Sequence, residues 1–116
     1  MNETVNNWLT EKMKLPGLLA CGIRCPDRRT FTRSQLPQFT SAALENACRC
    51  LSDTFHVLQS NRFPTQHVRW VFEKNFYYGY MRQDGVCLGI ITGREAPSLQ
   101  LADLEQLIRE FQDLRP

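Results

Sequence analysis

The sequence predicts an α+β fold in which a five-stranded antiparallel sheet lies between helices, and three observations carry that prediction. Between Thr65 and Gly93, two aromatic-rich stretches and one aliphatic stretch alternate with period two and are joined by turns at Lys74-Asn75 and Gln83-Asp84-Gly85, the pattern of a three-stranded meander. A second pair of alternating stretches lies upstream, between Leu18 and Gln35. Three segments with apolar residues at helical spacing flank and separate these strands, which gives the order α-β-β-α-β-β-β-α.

Each element follows from its local pattern. From Asn2 to about Lys14, Val5, Trp8, Leu9 and Met13 recur at helical spacing until Pro16-Gly17 stops the helix. Leu18 to Cys25 alternates so that Leu19, Cys21, Ile23 and Cys25 share one face, with Leu18, Ala20, Gly22 and Arg24 on the other; Pro26-Asp27 then turns the chain into Thr30 to Gln35. Thr40 or Ser41 caps the second helix, with Glu45 near its first turn. Leu44, Ala47, Cys48, Leu51, Phe55 and Leu58 then trace an apolar stripe for about five turns, which makes this the longest element. Ala43, Cys50 and Val57 widen that stripe, so either the core face is broad or part of the helix is covered by something beyond its own sheet.

The third strand sets Val68, Trp70 and Phe72 against His67, Arg69, Val71 and Glu73, and the fourth sets Phe76, Tyr78 and Tyr80 against Tyr77, Gly79 and Met81. Both faces of the fourth strand and of the fifth, Val86 to Gly93, are bulky or apolar, as expected of a sheet covered by helices on both sides. Gly22, Gly79, Gly89 and Gly93 fall within strands, where glycine marks a bulge or close packing against a helix. After Pro97-Ser98, Leu101, Leu104, Leu107, Ile108, Phe111 and Leu114 form the stripe of the closing helix.

Composition bounds the function more than it identifies it. The 116 residues fit a single domain spanning 1–116, long enough to bury one core without disulfide or metal staples. Fourteen basic and twelve acidic residues leave a net charge of +2, too balanced to call for a nucleic-acid or membrane partner. Cys21, Cys25, Cys48, Cys50 and Cys87 are odd in number and sit mostly in apolar patterns, which points to free thiols in a reduced cytoplasmic protein. No export signal and no apolar run long enough for a membrane helix is visible. The cysteine pairs lack zinc-knuckle spacing, and His56 and His67 join no catalytic pattern, so neither a metal, a cofactor nor an enzymatic centre is expected. The aromatics Trp70, Phe72, Phe76, Tyr77, Tyr78 and Tyr80 could stack bases, but core and interface contact is the simpler reading of a covered sheet.

Arg24, Arg28, Arg29 and Arg33 crowd the first hairpin and form the densest charge cluster of the chain. Guanidinium groups there could meet carboxylates or phosphates of a partner. The alternative is a solvated loop, since Asp27 and neighbouring polar residues dilute the patch.

The element order, the length, the Asp84-Gly85 turn before an aliphatic strand (Val86, Leu88, Ile90, Ile91) and the leucine-rich closing helix resemble the Roadblock or dynein light chain domain over nearly the whole chain. The resemblance implies a profilin-like αβα sandwich with the middle helix on one face and the terminal helices on the other. It also implies a non-catalytic dimer formed through the middle helix and third strand, serving as a scaffold or regulator for a Ras-like small GTPase or a motor complex. On that basis Cys50, Thr54, Val57, Arg69 and Val71 are the candidate self-association residues, and the four hairpin arginines are a possible partner patch. The chain departs from the commoner pattern at Pro26-Asp27-Arg28-Arg29, where an Asp-Gly turn is usual, and in its aromatic third and fourth strands. A second class of function remains open, a small-ligand or nucleotide sensor of profilin-like or PAS-like architecture, which would need a pocket between sheet and helix. Bulky inward residues leave little room for one.

Overall fold

A computed structural model describes residues 3–63, 65–95 and 98–115. In chain order the elements are α1 (Glu3–Lys12), β1 (Leu18–Arg24), β2 (Thr30–Ser34), α2 (Ser41–Ser60), β3 (His67–Val71), β4 (Asn75–Met81), β5 (Cys87–Gly93) and α3 (Leu101–Asp113). This is the predicted α-β-β-α-β-β-β-α order. Asn2 and Pro97, proposed as a helix start and a stop signal, lie outside the described residues. The strands form one antiparallel sheet in the order β2-β1-β5-β4-β3, so the two hairpins meet along β1 and β5, and β2 and β3 are its edges.

Alternation divides the side chains between two layers. Toward α1 and α3 point Cys21 and Ile23 of β1, Leu88 and Ile90 of β5, and Tyr78 and Tyr80 of β4, which pack with Val5, Leu9, Met13, Leu104, Leu107 and Phe111. On the other side Leu51 and Phe55 of α2 pack with Met81, Cys87, Val68, Trp70 and Tyr77. The pairing shifts between Leu18 and Ala20, a bulge that inserts Leu19. Leu18 therefore joins the α1/α3 core and Leu19 is only partly buried, the reverse of what strict alternation predicts. Strand β3 ends at Val71, so Phe72 leaves the face of Val68 and Trp70 and stands 53% exposed.

Three glycines govern how α2 approaches. Gly22, Gly89 and Gly79 are register neighbours across β1, β5 and β4, so they form a row without side chains across the sheet. A Cβ on Gly22 would lie 2.7 Å from Cys48 Sγ, and one on Gly79 2.1 Å from Leu51 Cδ1. The helix is thus seated in a trough, and the Tyr77 hydroxyl pins it by donating to the Ala47 carbonyl at 2.8 Å. Burial pushes the Tyr77 phenol up, keeping it a donor. Gly93 contrasts with this row, since a Cβ there would meet nothing closer than 3.6 Å.

The helix ends follow standard capping chemistry. Thr40 Oγ1 accepts from the Ala43 amide, whereas Glu45 is exposed and too far along the helix to close a capping box. At the other end Arg62 takes a left-handed φ of 64°, its amide donates to Gln59 O and that of Phe63 to Leu58 O, a Schellman closure without glycine. Helix α3 is held by two polar anchors. Arg82, 6% exposed, donates to the carbonyls of Phe111 and Leu114, stacks over the Phe111 ring and pairs with Asp84 at 2.7 Å. On its other flank Glu110 accepts from Trp8 Nε1 at 2.8 Å and pairs with Lys12 at 2.7 Å, tying α3 to α1.

Two predictions test this packing. Gly79→Ala should lower stability by about 2 kcal/mol, because Leu51 must vacate its core position to admit the methyl group, as in other overpacked sites; a denaturant midpoint equal to that of the parent would refute the trough. The hydrogen bond from Lys12, helped by those from Gln106 and Trp8, holds the Glu110 carboxyl at about 2, down from 4.5, against desolvation that would raise it. A depressed carboxyl stabilises the fold above its unfolded value and loses that contribution as pH falls from about 4.5 toward about 2. Glu110→Gln should therefore cost about 1 kcal/mol at pH 7, and its unfolding curve should merge with that of the parent near pH 2.

Candidate functional site

Seating α2 in the glycine trough determines which of its residues face outward. Cys50, Thr54 and Val57 follow at spacings of four and three, so they form one ridge on the solvent side, and Val57 is 60% exposed. A shallow cleft of about 400 Å³ runs along this ridge and is lined also by Arg49, Asp53 and Leu58. The Thr54 hydroxyl donates back to the Cys50 carbonyl at 2.9 Å, leaving a smooth surface of small and branched side chains. The breadth of the α2 stripe is thus resolved: Leu44, Cys48, Leu51 and Phe55 are core, while Cys50 and Val57 are surface.

Strand β3 supplies the neighbouring feature. It is an edge strand, and Met81 N donates to Gln66 O and Phe72 N to Asn75 O, which fixes the even-numbered residues as those bonded to β4. By antiparallel alternation the backbone N–H and C=O groups of His67, Arg69 and Val71 point away from the sheet. Arg69 and Val71 therefore lie at the open edge, but their side chains stand on the face opposite α2. Arg69 covers the Phe76 ring at 5.1 Å and Val71 is 54% exposed. The structure brings Cys50, Thr54 and Val57 together and leaves Arg69 and Val71 apart from them.

The side chains of β3 on the α2 side are Val68 and Trp70, half-buried beside the helix, with Trp70 stacked on Tyr77 at 5.1 Å. They form an apolar shelf between α2 and the open edge. The signal was present in their alternation. What alternation cannot express is that α2 lies mainly over β1, β2 and β5 and less over β4, so that cover thins toward β3.

The four hairpin arginines are divided between the two faces of the sheet and the hairpin tip. Arg24, paired in register with Thr30 and Cys87, is on the α2 side, and its guanidinium donates to Thr30 Oγ1 at 3.4 Å. Arg33 is on the α1 side, where it donates to Thr10 Oγ1 at 3.1 Å and to Thr32 O at 2.7 Å. Arg29 pairs with Asp27 at 2.6 Å, and the Arg29 amide, with that pair, holds the Asp27 carboxyl below its usual range. Arg28 sits at the tip with a φ of 74°.

The other chemistry is muted. All five cysteines are free, and burial pushes the thiols of Cys21 and Cys48 up to about 12 and that of Cys87 to about 11. His67 is lowered by desolvation and by Arg69. Among the described residues no group of three or more His, Cys, Asp or Glu side chains could hold a metal, and no helix is long and apolar enough to cross a membrane.

No family model matches the sequence, and no curated protein is significantly similar to it. Solved structures do match its fold. A Roadblock/LC7 domain from Streptomyces avermitilis superposes with a TM-score of 0.68 at 14% identity, covering 93% of this chain and 94% of that one. MglB of Myxococcus xanthus gives 0.68 at 11% identity over 96% of this chain and 84% of that chain, and the gliding protein MglB of Thermus thermophilus gives 0.65 at 13% identity with the same two coverages. The chain has a Roadblock-like α+β fold.

One thiol is predicted to stand apart from the rest. Titration of the dilute native chain with an aromatic disulfide reagent should consume one equivalent quickly, from the exposed Cys50, and the other four only after denaturation. Cys50→Ser should abolish the fast phase; a fast phase that survives would move the accessible thiol elsewhere.

Proposed function

We propose that this chain is a non-catalytic homodimeric scaffold or regulator, one Roadblock-like domain over residues 1–116, whose protein partner is a Ras-like small GTPase or a related cytoplasmic complex. The observation that carries the self-association is the side-by-side placement of an exposed α2 ridge, the Val68/Trp70 shelf and the unpaired β3 edge. Around a two-fold axis the same three features would meet themselves, ridge against ridge and strand against strand, so that the sheet continues across the pair and Trp70 loses its remaining exposure. Cys50, Thr54 and Val57 would lie at the centre, with Arg69 and Val71 contributing mainly backbone at the strand junction.

The GTPase partner follows from the resemblance to Roadblock domains together with the fold shared with MglB proteins, one of them described as a gliding protein. Five free thiols suit a reducing compartment such as the cytoplasm. The reading includes no nucleic-acid or membrane partner and no cofactor.

The experiment is light scattering on the parent and on Val57→Asp. Val57 is mostly exposed in the protomer, so the substitution should leave the fold intact while placing two like charges against each other at the axis. The parent should show twice the chain mass, and Val57→Asp should weaken the dimer at least roughly 100-fold. A dimer of unchanged strength would remove this ridge from the interface. Retention of a Ras-like GTPase by the parent in one nucleotide state then tests the partner.

A further inference from the structure

We propose that the cleft between the tip of the first hairpin, the β4–β5 turn and α2 binds an acidic, carboxylate-rich segment of a protein partner. This cleft, of about 910 Å³, adjoins the groove along the α2 ridge, with which it shares Arg49 and Asp53. Arg24 from the end of β1, Arg28 from the hairpin tip and Arg49 from α2 all line it. Among the described residues none of the three has a carboxylate within ion-pair distance. Arg82, which also lines the cleft, is already committed to Asp84 and to the end of α3. Asp53 is the one remaining carboxylate, so the cleft keeps an excess of positive charge.

Arg28 supplies a second argument. Its left-handed backbone is a conformation that glycine adopts without steric strain, yet a long cationic side chain stands there. A broken local preference of that kind is expected where a side chain has work beyond folding.

The remaining lining fixes the kind of anion. Ser52, Gln59, Gln66 and Gln83 present hydroxyl and amide groups that can both donate and accept, as an extended main chain requires. His56 is the only aromatic ring in the lining, which gives a nucleotide base little to stack on. The cleft is open and polar rather than an enclosed apolar cavity, which suits a length of chain better than a small molecule. Forked guanidinium groups match carboxylates in pairs, and their charge would draw such a segment in at low ionic strength.

The proposal rests on the reading of the chain as a protein-binding scaffold, yet the two fail separately, because light scattering reads the dimer and peptide titration reads the cleft. The test uses the full chain and a fluorescent peptide of mixed Asp and Glu, followed by anisotropy at rising salt. Arg28→Gly and Arg49→Ala should each raise the Kd roughly tenfold, whereas Arg109→Ala, on the exposed side of α3, should change it by less than about twofold. Arg28→Gly also relieves the strained backbone, so its unfolding midpoint should be no lower than that of the parent, and lost binding cannot then be ascribed to lost fold. Binding that ignores both cleft substitutions, or an Asn/Gln version of the peptide that binds equally well, overturns the proposal. Inorganic triphosphate or GTP that displaces the peptide and itself binds more tightly through Arg28 and Arg49 overturns it too, by making this a small-anion site.

Discussion

The structure depends on the absence of three side chains. Gly22, Gly89 and Gly79 lie abreast on the central strands, and the trough they leave lets α2 sit close enough for Cys48 and Leu51 to touch the sheet surface itself. Everything on the α2 side follows from that depth. Tyr77 can reach the Ala47 carbonyl only because the helix is low, and Phe55 joins the cluster of Met81, Cys87 and Trp70 for the same reason. Fixing the inner stripe also fixes the outer one, because residues three and four apart on a helix cannot change faces independently. The Cys50–Thr54–Val57 ridge is therefore a geometric consequence of glycines two layers away.

The opposite layer is organised differently. Helix α3 brings a leucine-rich stripe whose burial supplies area but little registry, since hydrophobic contact is nondirectional. Direction comes from charge at two points. Glu110 is clamped by Lys12 and Trp8 of α1, and Arg82 reaches the carbonyls at the C-terminal end of α3, where a cation is favoured by the helix dipole. The Arg82 fork also orders Asp84, which in turn accepts from the Val86 amide and shapes the turn around Gly85, whose φ of 86° requires glycine. One buried guanidinium thus couples the last helix to the β4–β5 turn. Its full commitment there is what distinguishes it from Arg24, Arg28 and Arg49 nearby.

Element order, element type and most facing residues were legible in the sequence because each rests on local periodicity, and periodicity of two or 3.6 survives folding wherever no residue is inserted. It failed at Leu18 and Leu19, where a bulge consumed one residue and exchanged their faces. The arginine cluster divides for a related reason. Residues adjacent in a hairpin sequence can stand on opposite faces of the sheet, and Arg24 and Arg33 do, while Arg49, the third guanidinium of the cleft, comes from a helix far along the chain. On β3 the pattern marked Val68 and Trp70 as inward without saying how far the covering helix extends. Lateral reach is a tertiary quantity, set by where α2 crosses the sheet.

That reach also bears on what kind of molecule this is. A sensor of PAS-like design needs a cavity between its sheet and its helix, and here that space is where the trough closes it: the atoms of Leu51 fill the position a Cβ of Gly79 would take, and Tyr77 lies within 3.0 Å of where a Cβ of Gly89 would stand. Widening the gap enough to admit a ligand would break the Tyr77–Ala47 bond and expose Phe55. The same close seat leaves α2 narrow relative to the sheet, so that β3 and its shelf extend past it uncovered on that side. Between the two edges the asymmetry is plain: β2 is flanked by α2 and α1, whereas β3 meets α2 through Val68 and Trp70, both half-buried. Packing that closes the space beneath α2 thus goes together with an open surface beside it.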